Sequence, residues 1–143
     1  MKQPNISPDA YQSILKRIEL KDLSIIESKT KLNEEFHAPK LELKINDNST
    51  FETTENEFRV FSRYTFKAKG EEKSSPFVEM VVKFQLIYDL RDCPEISKDF
   101  FDIYEELSLG FIIWPYFREF VQNMLSRMNL PHLTLPMRKA IKG

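Results

Sequence analysis

The chain has 143 residues, 21 Lys and Arg against 22 Asp and Glu, and a formal net charge of −1. That length supports one domain, 1–143, with a single core, and the balanced charge argues against a nucleic-acid face. One cysteine, Cys93, excludes an internal disulfide, and the N-terminus lacks the apolar run of a signal peptide. No stretch nears the roughly 18 apolar residues of a membrane span, so a cytoplasmic protein is expected.

In chain order, Ser7-Pro8-Asp9-Ala10 reads as a helix start, with Ser7 as cap and Pro8 at the first helical position. Tyr11, Ile14, Leu15 and Ile18 follow at helical spacing and predict a short helix to about Arg17. From Ile18 the period becomes two. Leu23 and Ile25 continue the alternation of Ile18 and Leu20 with a one-residue phase shift, the mark of a β-bulge. Glu27 to Asn33 reads as a polar loop. Leu41, Leu43 and Ile45 alternate with Glu42 and Lys44, a short half-buried strand, and Asn46-Asp47-Asn48-Ser49 reads as a turn.

Asn56 to Lys69 is the clearest strand, with Phe58, Val60, Ser62, Tyr64, Phe66 and Ala68 on one face. Phe77 to Tyr88 is the next, and Val78, Met80, Val82, Phe84, Leu86 and Tyr88 share a face. Phe100 to Leu107 predicts a short helix. The following helix carries a stripe of Ile113, Tyr116, Phe117, Phe120, Val121, Met124, Leu125 and Met128 at i, i+3, i+4, i+7 spacing. Pro115 is either a first-turn residue or a kink in a longer helix. Beyond it Leu130, Leu133 and Leu135 alternate in a proline-punctuated tail. The fold class is therefore α+β: a meander of about four antiparallel strands, then a long C-terminal helix.

Catalytic chemistry is poorly represented. Glycine occurs only at 70, 110 and 143, so no glycine-rich loop cradles phosphate. His37 and His132 are the only histidines, and no Cys/His grouping has zinc spacing. No enzyme, metal or cofactor is expected. The methionines at 80, 124, 128 and 137 either fill a core or form deformable surface for varied partners.

Trp114-Pro115-Tyr116-Phe117-Arg118-Glu119 resembles the aromatic-Pro-Tyr-Ala-Arg-Glu element of the SecB family of export chaperones. Ser126-Arg127 and Leu130-Pro131-His132-Leu133-Thr134-Leu135 resemble that family's Ser-Arg-Gly-x-(aromatic or Leu)-Pro-x-Leu-x-Leu tail. Arg17-Ile18 with Lys21-Asp22-Leu23-Ser24, and Pro39 with Leu41, Leu43 and Ile45, are similar to its first two strands. The likeness runs in order from about residue 11 to 136. It implies a four-stranded antiparallel sheet with a long helix, a homotetramer built as a dimer of dimers, and an ATP-independent holdase for unfolded polypeptides, export precursors among them.

The resemblance also implies roles for particular residues. Apolar grooves at Phe36, Leu41, Leu43, Ile45, Ile113, Trp114, Met124, Leu133 and Leu135 would receive clients. An edge strand with Val78, Met80 and Val82 would make oligomer contacts. Asp22 and Glu79 would face the translocase motor SecA. Three positions depart from the family pattern. Asn129 stands where the family has glycine, and Ile26 stands where it has a carboxylate, with Glu27 next. The sequence ends on Arg138, Lys139, Lys142 and Gly143, where the family continues into a second helix and an acidic tail. That ending keeps a second reading open, a dedicated antitoxin chaperone of a toxin–antitoxin–chaperone system. A small-ligand-binding or enzymatic cup is the remote third.

Overall fold

The structure, a computed structural model, describes residues 6–92 and 95–131. Helix α1, Pro8–Leu15, begins as its sequence dictates, with the Ala10 amide donating to Ser7 Oγ at 3.1 Å. Four strands follow: β1 Ile18–Leu32, β2 Glu42–Thr53, β3 Glu57–Lys69 and β4 Val78–Leu90. They form one antiparallel sheet in the order β1-β4-β3-β2. The run β2–β3–β4 is a meander, whereas β1 lies beside β4 and not beside β2. The four-stranded antiparallel sheet and long C-terminal helix are as expected, but this crossover is not a simple meander.

Two strands run further than their sequences suggest. The register of β1 against β4 slips between Leu20 and Asp22, as the phase shift predicts, and again between Ile25 and Glu27. The second bulge returns Ser28, Thr30 and Leu32 to the inward face, so residues 27–32 are strand and not loop. In β2, Asn46 to Ser49 are also strand, because each pairs with a residue of β3. Ser49 shows how a polar residue fits the inner face: its hydroxyl lies 2.7 Å from that of the fully buried Ser62. The turn falls later, where the Thr54 amide donates to the Glu57 carbonyl at 2.8 Å.

The chain then winds without a break from Lys98 to Arg127, as α2 Lys98–Tyr104, a π turn Glu105–Leu109 and α3 Gly110–Arg127. The two expected helices are thus one. Gly110 keeps helical dihedrals, and Pro115 sits inside the helix, where it offers no donor to the Phe111 carbonyl. The buried stripe of α3 is Gly110, Ile113, Trp114, Phe117, Phe120, Val121 and Leu125. Trp114 thus replaces Tyr116, which is 54% exposed. Phe117 packs on Tyr64 and Trp114, with centroids 4.8 and 5.8 Å away. The core lies between this helical layer and the inner faces of β3 and β4. The opposite sheet face carries most of the strand charges, and no helix among the described residues lies over it.

Candidate functional site

At one end of the inner sheet face the described residues form an open apolar groove of about 390 Å³. Its floor is Phe66 and Ala68 at the end of β3, with Phe77 and Val78 at the start of β4. Leu41 and Leu43 form one wall, beside the loop His37-Ala38-Pro39. Leu125, Leu130 and Pro131 form the other. Ala68 lies directly opposite Leu43 on one side and Val78 on the other, so its small side chain makes the depression between them.

Each wall has a local cause. At the end of α3 the Leu130 amide donates to the Leu125 carbonyl at 3.0 Å, and the Asn129 amide donates to the Ser126 carbonyl at 3.0 Å. This pair of bonds is a Schellman cap, whose turning residue adopts left-handed dihedrals. Asn129 does so, with φ 59°. Asparagine is the residue that best tolerates these dihedrals after glycine. The cap stops the helix and sets Leu130 beside Leu125 on the groove.

The opposite wall is fixed by Asn33 and Gly70. The Asn33 amide donates to the Phe77 carbonyl at 2.8 Å, and its side chain donates to the Pro76 carbonyl at 3.1 Å. His37 meets the Phe77 ring edge-on at 5.2 Å, a packing contact. A Cβ at Gly70 would lie 2.7 Å from the Ala38 Cβ, so only glycine lets this loop pass close to β3.

Of the expected client-binding residues, Leu41 and Leu43 line the groove. Phe36 is half-buried in the short 3₁₀ turn Glu34–Phe36, Ile45 sits one inward position further along β2, and Met124 packs half-buried against the core. None of these three is a groove wall. Ile113 and Trp114 are buried core residues under the helix, so their expected client role is corrected. Leu133 and Leu135 lie outside the described residues. Phe66, Ala68, Phe77, Leu125 and Leu130 were not foreseen as groove residues, since their periodicity is simply that of a core.

The expected oligomer strand is also corrected. β4 is an inner strand between β1 and β3, and Val78, Met80 and Val82 are at most 1% exposed inside the chain itself. Their inward alternation buries them under the helical layer. Besides Leu43, the large apolar side chains that face solvent among the described residues are Leu107, Phe111 and Tyr116 on the helix, and Leu20, Ile25 and Ile26 on the edge strand β1. Asp22 and Glu79 both point to the outer face but pair with Ile87 and Lys31 respectively. Eight residues of β4 part those two rows, roughly 26 Å at 3.3 Å per residue.

No protein-family model matches the sequence, and comparison with curated proteins finds no relative. Among solved structures, the Mycobacterium tuberculosis Rv1957 SecB-like chaperone, in complex with a ChAD peptide from the Rv1956 HigA1 antitoxin, matches with a TM-score of 0.78. The match covers 92% of this chain and 97% of that one at 17% identity. The fold is SecB-like. A protein of unknown function from Streptococcus agalactiae matches with a TM-score of 0.40 and 10% identity, over 83% of this chain and 96% of that one. No helix among the described residues of this SecB-like chain is long and apolar enough to cross a membrane.

Proposed function

We propose that this chain is an ATP-independent holdase that binds an extended, unfolded stretch of polypeptide in the apolar groove between β2 and the end of α3. The observation that carries the reading is the groove itself, where half-exposed Leu41, Leu43 and Leu130 stand around Phe66, Ala68 and Phe77 in a SecB-like fold. Only an unfolded client exposes the apolar run needed to fill it. Each large side chain seated there contributes roughly 1.5–3 kcal/mol, and the ordering and association costs remove much of the sum, which leaves micromolar affinity. A free chaperone concentration ~100-fold above the Kd shifts a client's folding equilibrium by ~2.7 kcal/mol. Release by mass action or capture by a later partner needs no nucleotide.

The test is refolding of an unrelated denatured enzyme with and without the purified protein, in the absence of ATP. A delay at modest molar excess is expected, and normal refolding at high excess rejects the reading. A dedicated antitoxin client is the second reading, supported by the antitoxin peptide bound to the Mycobacterium tuberculosis protein. It predicts capture of one antitoxin and indifference to unrelated unfolded chains. Self-assembly into a tetramer in the cytoplasm is part of the proposal, and the exposed apolar side chains that could serve it outside the groove are Leu107, Phe111 and Tyr116 on the helix and Leu20, Ile25 and Ile26 on β1. Handover to SecA through Asp22 and Glu79 receives little support, since the two stand far apart.

A further inference from the structure

The outer face of the sheet, opposite the groove, has its own charge pattern. The strand register arranges it in rows. One row places Glu27, Lys83 and Arg63 side by side across β1, β4 and β3. The next pairs Lys29 with Val81, and the one after places Lys31, Glu79, Lys67 and Lys44 across all four strands. Six cations thus share three rows with two carboxylates. Among the described residues the one ion pair in these rows is Lys83 Nζ to the Glu27 carboxylate, at 3.8 Å.

Two neighbours here are like-charged and directly opposed: Arg63 against Lys83, and Lys67 against Lys44. Such pairs destabilise a sheet. The other end of the same face also opposes like charges, Glu19, Asp89 and Glu57 in one row, but cations bridge them. There Lys21 reaches Glu19 at 3.4 Å and Asp89 at 3.6 Å, Arg59 reaches Glu57 at 2.8 Å, and Arg91 reaches Glu19. Ion pairs tie the carboxylates at that end, whereas here Lys29, Lys31, Arg63 and Lys83 outnumber Glu27 and Glu79 around a cleft of about 380 Å³.

We propose that this cleft is a second binding site, separate from the apolar groove, for an acidic stretch of a partner polypeptide held extended along the strands. Side chains two residues apart on an extended chain recur every ~6.7 Å, the same pitch as successive rows of the sheet. Alternating Asp or Glu side chains therefore fall in step with the lysines. Glu27 and Glu79 within the rows, together with the net charge of −1, disfavour a nucleic acid, whose binding rests on long-range attraction between polyanion and protein.

The test uses fluorescence anisotropy with a labelled peptide of alternating Glu and Ser, its Gln and Ser counterpart, and a short single-stranded DNA. The Glu peptide is expected to bind and to weaken with salt, and the Gln peptide is expected not to bind. Arg63→Glu and the double variant Lys29→Glu with Lys31→Glu are each expected to lose about tenfold or more in affinity. Arg63→Glu also turns the opposed Arg63 and Lys83 into an attractive pair, so its thermal midpoint should match or exceed that of the unaltered chain, which separates lost binding from lost folding. Leu43→Asp in the groove should leave Glu-peptide binding unchanged. The proposal is overturned if the Glu peptide does not bind, if the charge-reversed variants bind it equally, if Leu43→Asp abolishes binding, or if the DNA binds more tightly than the peptide.

Discussion

Leu43→Asp separates client capture from folding. Leu43 is 41% exposed and lies on edge strand β2, so the chain has hidden only part of this side chain for itself. Full burial of a leucine is worth roughly 1.5–3 kcal/mol, which leaves about 1 kcal/mol for a client that covers the exposed two-fifths. Loss of that contact alone, as in Leu43→Ala, weakens Kd by about fivefold. An aspartate adds a carboxylate that the client must desolvate without a partner, at a further cost of roughly 1–3 kcal/mol. The sum is about 2–4 kcal/mol, or roughly thirty- to a thousandfold in Kd. The free protein keeps the new carboxylate in water and loses only about 1–2 kcal/mol of packing. The assay is the refolding delay of a denatured client, read beside thermal unfolding of the variant. A variant that remains folded and still delays refolding as the unaltered chain does would place clients elsewhere and refute the groove.

Other perturbations bear on different parts of the argument. Met80→Asp sets a carboxylate in a fully buried position, a cost that consumes much of a domain's 5–15 kcal/mol, so circular dichroism should show an unfolded chain; a folded but smaller species on sizing chromatography would return Met80 to an oligomer interface. Asn129→Val forces a β-branched residue into left-handed dihedrals and should cost about 1–2 kcal/mol in denaturant unfolding, whereas Asn129→Gly should be near neutral; equal effects would contradict the cap. Ala68→Leu fills the groove floor with apolar atoms and should abolish capture, at an overpacking cost of about 1–3 kcal/mol at this buried position, and intact capture by the folded variant would show that clients bypass the floor. Burial raises the phenol pKa values of Tyr88 and Tyr104, whose hydroxyls lie 2.8 Å apart. Below about pH 10 both states keep these protons; above it the unfolded chain sheds them and the folded chain does not, so stability falls by up to ~1.4 kcal/mol per pH unit for each tyrosine. Thermal midpoints that stay level from about pH 9 to pH 11 would show that these hydroxyls ionise freely.

Regular alternation was the legible part of this fold. β3 and β4 alternate without interruption because helices cover one face along most of their length, and every inward position is aliphatic or aromatic apart from Ser62. The bulge near Lys21 was readable because large apolar residues flank it on both sides. Its companion at Ile26 was not, because the residues it returns inward, Ser28 and Thr30, are exposed at an edge that no helix covers. Asn46 to Ser49 misled for a related reason. Local turn preference is weak against a ladder of hydrogen bonds to β3, and the polar side chains cost little on an edge strand. The union of two helices into one depended on Gly110 remaining helical, which a neighbouring layer can enforce and a local pattern cannot reveal.

The groove was harder to read for a reason intrinsic to such sites. Phe66, Ala68, Phe77 and Leu125 have the spacing of core residues, and each is in fact buried. What makes them part of a groove is the placing of its two walls, and that is decided elsewhere: by Asn129, which ends the helix, and by Gly70, which lets the loop before β2 pass close to β3. Neither residue touches a client in the proposed mode. Leu41 and Leu43 were accessible to sequence reasoning because an edge strand leaves its inward side chains half in water, so the resemblance and the alternation fell on the same residues. Val78 failed the same reasoning because the crossover of β1 onto β4 turns an expected edge into the middle of the sheet, and that pairing joins residues too far apart in sequence for any local pattern to report.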